Sequence, residues 1–131
     1  MIRTLLASLA ICGATTAALH ADPTLECSLS SGSQVETADC LIAAEKAAVG
    51  ALELIVGFAT ESAQELDEVV GREVAVPALL ASQEAWEDWR DAECDYAGSL
   101  FGGGSGTGIE IRSCRIILTR ARTQALLERF R

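Results

Sequence analysis

The chain has 131 residues, half of them apolar and 22% charged, with only two prolines. Such a composition is typical of a globular protein, and the length suffices for one small domain with a single core. It excludes a two-domain enzyme with a nucleotide-binding fold, which needs roughly twice this length. The formal net charge of −9 argues against binding to nucleic acid or anionic membranes and favours a basic partner.

The first 21 residues have the features of a secretory signal peptide. A short basic segment that includes Arg3 precedes an apolar stretch from Leu5 to Leu19, which is too short to span a bilayer. A small residue, Ala21, stands where we expect cleavage, and Ala18 offers the alternative site. Residues 22–131 therefore form the predicted mature domain.

The mature domain is predicted to be periplasmic or secreted. It contains nine basic and 19 acidic residues, which is a formal net charge of −10. No apolar run after the signal reaches the roughly 18 residues of a membrane span, so we expect no membrane insertion after cleavage. Cys12 raises the alternative of a lipid anchor, but the bulky Ile11 stands where lipoprotein processing uses a small residue.

The first part of the mature domain is predicted to contain one long helix. Residues 22–34 are rich in serine and other polar residues and indicate an irregular lead-in. An amphipathic helix follows from about Val35 to Leu66, with Gly71 as its predicted end. Pro77 is compatible with the first turn of the next helix. The apolar positions of the long helix are Val35, Ala38, Leu41, Ala44, Ala48, Leu52, Ile55, Ala59 and Leu66.

Two further helices are predicted, separated by a glycine-rich loop. The second helix extends to about Tyr96, and the loop covers Gly98 to Gly108 because so many glycines disfavour regular structure. The third helix covers about Ile109 to Phe130. Its predicted core stripe consists of Cys114, Ile117, Leu118, Ala121, Ala125 and Leu126. The expected fold is therefore all-α, a small antiparallel three-helix bundle with two disulfides.

The disulfides are predicted from the four cysteines of the mature domain, Cys27, Cys40, Cys94 and Cys114. An even number in an oxidising compartment favours two disulfides. Three connectivities are possible, and the spacing favours the local pairs Cys27–Cys40 and Cys94–Cys114, each worth about 3 kcal/mol in the chain-entropy model. A four-cysteine zinc site is the alternative, but no Cys-x-x-Cys knuckle is present.

The mature domain lacks the residues that most catalytic sites require. The one histidine, His20, lies in the predicted signal peptide, which excludes Ser-His-Asp and Cys-His catalysis and histidine-ligated metals. No phosphate-binding or dinucleotide-binding glycine motif is present. We therefore assign no catalytic residue, cofactor or metal. A carboxylate-dependent glycan hydrolase is the least favoured function, because the domain offers little aromatic surface for sugars.

Two segments of the second half resemble the lysozyme inhibitor LprI-like family of exported bacterial domains. Residues 83–94 read Gln-Glu-Ala-Trp-Glu-Asp-Trp-Arg-Asp-Ala-Glu-Cys, and residues 114–122 read Cys-Arg-Ile-Ile-Leu-Thr-Arg-Ala-Arg. The family pattern is Gln-x-x-Trp-x-x-aromatic-Arg-Asp-x-x-Cys, then Gly-Gly-Ser, then Cys-x-x-x-x-Thr-x-x-Arg. The resemblance implies structural roles for Gln83, Trp86, Trp89, Arg90, Asp91, Thr119 and Arg122.

The first half resembles the family less closely. Cys27 and Cys40 fit its earlier cysteine pair. Its usual Asp-x-x-Leu-Asn-x-x-Tyr stretch is replaced here by residues 49–56, with Glu53 where the family has asparagine. The resemblance is therefore stronger evidence for the fold than for the activity.

The resemblance implies binding to lysozyme, and the charge supports this independently, because a basic lysozyme attracts an acidic protein. The candidate partner-binding loop contains Gly103, Gly104, Ser105, Gly106 and Thr107. Its lack of bulky side chains permits entry into a cleft, where the hydroxyls can bond to catalytic carboxylates; a plain connector between helices is the alternative. We expect a non-catalytic lysozyme inhibitor. The alternative is a non-catalytic envelope interaction module with another, unidentified partner.

The sequence also predicts the environments of the two tryptophans and of the neighbouring arginine. Trp86 is expected in the core and Trp89 to be partly covered, although a tryptophan pair three residues apart can also stack on sugars or anchor a partner. Arg90 falls on the inward side of its helix. We expect it to pair with an acid on the first or third helix, because a buried arginine needs a partner.

Overall fold

The computed structural model describes residues 21–130, and in this range the chain is helical without strands. Four α-helices follow one another, and a short 3-10 turn, Glu128–Phe130, closes the chain. The predicted signal segment up to His20, with Cys12, lies outside the described residues. The helices are α1 (Pro23–Ser28), α2 (Gln34–Val70), α3 (Ala75–Ser99) and α4 (Gly106–Leu127).

The short helix α1 corrects the prediction that residues 22–34 are irregular. The Asp22 carboxylate accepts hydrogen bonds from the backbone N–H groups of Thr24 and Leu25, at 2.8 and 3.4 Å. Pro23 takes the first helical position, where its missing N–H removes no helical bond. An N-cap residue and a proline therefore start a helix in a segment whose polar composition suggested none.

Helix α2 begins and ends at residues with clear local signals. The Ser33 hydroxyl caps its N-terminus by accepting from the Glu36 N–H, and the Glu36 carboxylate accepts from the N–H of Gly32 at 2.6 Å. At the other end, Gly71 adopts the left-handed conformation with φ of 67°. This confirms the predicted stop, because glycine reaches that region without steric cost.

The turn from α2 into α3 is held by a single buried carboxylate. Asp67, near the end of α2, accepts hydrogen bonds from the backbone N–H groups of Val74, Ala75 and Val76, at 3.1, 2.8 and 3.0 Å. It thereby supplies the cap that the residue preceding α3 lacks. The bonds from Ala75 and Val76 are the main reason why the pKa of Asp67 is lowered from its ordinary value.

Helices α2 and α4 lie at the centre of the packing, because each contacts the other and both α1 and α3. Disulfides join α1 to α2 (Cys27–Cys40) and α3 to α4 (Cys94–Cys114), in the expected local pairing. None of the helices within residues 21–130 is long and apolar enough to cross a membrane. The buried apolar side chains are Cys27, Leu41, Ala48, Leu52, Ala59, Cys94, Ile116 and Leu126.

The predicted core stripes are partly right. In α2 the central positions are buried or half-buried, whereas Val35 and Leu66 at its two ends are exposed. In α4 the buried apolar residues are the predicted Leu126 and Ile116, which is next to the predicted Ile117. The α4 stripe is shifted because small polar residues occupy its contact face. The buried residues of α4 are Ser113, Ile116, Thr119 and Leu126.

Contacts between α3 and α4 occur in opposite chain order. Ser82 bonds to Arg122, Cys94 is joined to Cys114, and Gly98 lies against Ile111. This is the order expected of two antiparallel helices joined by a short loop. The antiparallel arrangement of the whole bundle stays a prediction.

We predict that Gly98→Ala destabilises the protein by about 1–3 kcal/mol, the usual cost of forcing atoms into a filled space. A Cβ at this position would overlap with the Ile111 side chain of α4. The matched control is Gly108→Ala, where a Cβ meets nothing within 4 Å. Urea unfolding of both oxidised variants measures the difference, and equal midpoints would contradict the close approach of α3 and α4.

We also predict that Asp67 makes part of the stability depend on acid pH. Because folding lowers its pKa, its contribution is fully present above the unfolded value of about 3.9 and is lost as pH falls through the lower folded value. Asp67→Asn should therefore lower stability at pH 7 and flatten the loss of stability as pH falls below the unfolded value, as followed by thermal melts. Asp88→Asn, at an exposed acid on α3, controls for net charge.

Candidate functional site

The motif residues of α3 and α4 meet around one tryptophan. Trp86 is half-buried, and two guanidinium groups lie near its ring, with Arg90 Cζ at 5.1 Å and Arg122 Cζ at 5.7 Å from the ring centroid. Both distances are within the range of cation–π attraction. Trp86 thus joins an arginine of its own helix to an arginine of α4.

Arg122 is held by neutral partners. Its Nε donates to Gln83 Oε1 at 3.1 Å and its Nη2 donates to Ser82 Oγ at 3.0 Å. Gln83 is buried, and its amide nitrogen also donates to Glu87 Oε1 at 3.3 Å. Burial, and secondarily the charge of Arg129, lower the pKa of Arg122. A guanidinium remains charged even so, and the stacking on Trp86 offsets part of its desolvation.

Arg90 does not pair with another helix, so that prediction is wrong. Its Nε and Nη2 both lie 2.9 Å from Asp91 Oδ1, the carboxylate of the next residue. The same oxygen lies 3.4 Å from Nε of Arg115 on α4, which makes no hydrogen bond there and so contributes an ion pair only. The interhelical link therefore exists, but Asp91 forms it.

The remaining motif residues have different environments. Thr119 is fully buried in α4, and its carbonyl oxygen accepts from the Thr123 hydroxyl at 2.9 Å. Trp89 is 51% exposed and lies outside the contacts around Trp86. Trp86 and Trp89 therefore do not form a joint aromatic platform, since Trp86 is half-buried beside two arginines and Trp89 is mostly exposed.

The glycine-rich loop is shorter than predicted and is wound into consecutive turns. Helix α3 extends to Ser99 and α4 begins at Gly106, which leaves only residues 100–105 as loop. N–H groups of Phe101, Gly102 and Gly104 each donate to a carbonyl three residues back, at 3.0–3.3 Å. Gly102 and Gly103 have φ of 63° and 81°, values that require glycine.

The candidate partner-binding residues are divided by this geometry. Gly103, Gly104 and Ser105 are exposed in the loop, whereas Gly106 and Thr107 are half-buried in the first turn of α4. The Ser105 side chain makes no capping hydrogen bond. Sequence reasoning missed two large apolar side chains at the loop start, although a bulky pair before a glycine run is a visible signal. Leu100 and Phe101 are both exposed.

Several arginines of α4 form ion pairs with acids of the other helices. Arg112 pairs with Glu45 of α2, and both terminal nitrogens of Arg120 lie 3.2 Å from the Glu26 carboxylate of α1. Across the part of the chain that the structure describes, no cluster of acidic, cysteine or histidine side chains could hold a metal ion. The exposed charge that remains is mostly acidic.

These features define a small helical protein with two disulfides, in which polar contacts around Trp86 join two helices. A family model described as lysozyme inhibitor LprI matches residues 26–126, which is most of the chain. The protein therefore belongs to the lysozyme inhibitor LprI family. Searches of curated proteins and of solved structures found no match.

We predict that Arg122→Ala destabilises the fold by about 1–3 kcal/mol, because it removes two hydrogen bonds and a cation–π contact and leaves the amide oxygen of buried Gln83 without its donor. Arg120→Ala is the control: it removes an arginine of the same helix whose ion pair is solvent-exposed, and such pairs contribute about 1 kcal/mol or less. Urea unfolding compares the two. Equal losses would show that the contacts around Trp86 have no special weight.

Proposed function

We propose that the protein is an exported inhibitor that binds a lysozyme and occupies its active-site cleft, without catalysis of its own. The observation that carries this proposal is the match to the lysozyme inhibitor family over residues 26–126. The match includes all four cysteines, the contacts around Trp86 and the loop before α4. The match supports binding to lysozyme at the level of the family. Occupation of the active-site cleft is the further part of this proposal.

Charge supports the choice of a basic partner. The predicted mature domain has a formal net charge of −10, and several α4 arginines are engaged by acids of the protein itself. A basic lysozyme approaching this surface gains from complementary fields, which raise the association rate more than the final affinity. A tight complex therefore also needs a shaped contact.

The loop of residues 100–105 is the element that we propose enters the cleft. Its turn hydrogen bonds and the nearby Cys94–Cys114 disulfide order it before binding, which reduces the entropic cost of association. Leu100 and Phe101 provide exposed apolar area. The Ser105 hydroxyl, free of a capping bond, is available to a catalytic carboxylate.

The proposal is tested by cell-wall lysis with a basic lysozyme, with and without the purified oxidised mature domain. The assay is run at low salt and at about 0.15 M, where the Debye length is about 8 Å. Inhibition that persists at the higher salt supports a shaped interface. Inhibition confined to low salt means nonspecific charge pairing, and no inhibition at all favours an envelope interaction module with a different partner.

For the loop, we predict that Ser105→Ala combined with deletion of Gly103 and Gly104 raises the inhibition constant at least tenfold. The variant removes the hydroxyl and one of the two left-handed glycines before it, Gly103. Ser62→Ala, at an exposed serine of α2, is the control and should inhibit like the wild type. If the loop variant inhibits equally well, the loop does not enter the cleft. Circular dichroism confirms that both variants are folded.

A further inference from the structure

One side of α2 is exposed although it carries large apolar residues. A shallow depression in this side is lined by Gly50, Glu53, Leu54, Gly57, Phe58 and Glu61, which we call the α2 face. Leu54 and Phe58, one helical turn apart, are 67% and 60% exposed. Single exposed apolar residues are ordinary on protein surfaces and need no explanation. A contiguous apolar pair surrounded by polar residues is more typical of a binding site.

The two glycines of the α2 face are not explained by packing within the protein. A Cβ added at Gly50 or at Gly57 would meet nothing within 4 Å. Both positions are inside a helix, where glycine is less favourable than alanine. They are two turns apart on either side of Leu54, so an approaching surface reaches the backbone beside the apolar pair.

The charges around the apolar pair indicate which partner fits. Glu53 and Glu61 are exposed, and within residues 21–130 neither forms an ion pair, so both carboxylates are open to a partner. Two basic residues line the adjoining depression that shares Gly50 and Glu53: Lys46, a turn before Gly50, and Arg112, which is already paired with Glu45. A second copy of the chain would bring the same carboxylates and a further net charge of −10. A cationic partner is complementary.

We propose that the α2 face is the docking surface for a cationic protein, with Leu54 and Phe58 against an apolar patch and with Glu53 and Glu61 opposite its lysines or arginines. This inference rests on the proposed function, because the cationic protein that we name is the lysozyme. In this arrangement the α2 face provides affinity for the lysozyme, and the loop before α4 blocks the cleft.

The test is isothermal titration of a purified basic lysozyme with the oxidised mature domain at about 0.15 M salt. Phe58→Ala should weaken binding at least tenfold, because a central apolar contact is lost. Val69→Ala, which shortens an exposed apolar residue of the same helix outside the α2 face, should bind like the wild type. In stopped-flow mixing with the same lysozyme, Glu53→Gln with Glu61→Gln should lower the association rate, compared with Glu65→Gln and Glu68→Gln.

A second variant separates docking from folding. Gly57→Leu should raise the melting temperature, because it replaces a helical glycine in open space, and should weaken lysozyme binding at least tenfold by filling the depression. If the α2 face had only a structural role, Gly57→Leu would raise the melting temperature without weakening lysozyme binding.

The outcomes distinguish the inference from the proposed function. If the wild type binds and the Phe58 and Gly57 variants bind equally well, the α2 face is not the docking surface, and the inhibitor proposal stands. If the wild type does not bind at this salt concentration, both fail. If Phe58→Ala instead dissociates a dimer and leaves lysozyme binding unchanged, the face joins two copies and the inference is overturned.

Discussion

The link between α3 and α4 is the interaction on which the rest of this structure depends. Helix α4 contacts every other α-helix of the described chain, yet its fully buried side chains include only two apolar residues, Ile116 and Leu126. Apolar burial of that extent is small for a domain of this size. The Cys94–Cys114 disulfide and the contacts of Arg122 with Gln83 and Trp86 supply the specific attachment. The motif residues therefore have a physical reason to occur together.

The same link organises the charge of the surface. Arg112, Arg115 and Arg120 of α4 are turned towards acids of α2, α3 and α1, so much of the positive charge in the second half is neutralised internally. Exposed acids such as Glu53 and Glu61 on α2 are left without such partners in the described range. An acidic outer surface follows from this division. The proposed binding to a basic lysozyme depends on that acidic surface.

Local signals made much of the fold predictable from the sequence. Gly71 ended α2, the cysteine spacing indicated the two disulfides, and the helical periodicity indicated the long helices. Four helices formed where three were expected, because Asp22 and Pro23 start α1 within a polar segment. Contacts between helices were harder to predict from the sequence. They depend on how each packed helix is rotated about its axis, which periodicity defines only to within a residue. This is why the partner of Arg90 and the burial of Ile116 rather than Ile117 were not predicted.

Competition for the lysozyme cleft tests the central claim most directly. A peptidoglycan oligosaccharide that fills the cleft of a basic lysozyme is titrated in while the apparent Kd for the oxidised mature domain is measured at about 0.15 M salt. Occupation of the cleft by the protein predicts an apparent Kd that rises linearly with the concentration of free saccharide. An apparent Kd that does not change with saccharide would show that the protein binds elsewhere on lysozyme, and would contradict the account.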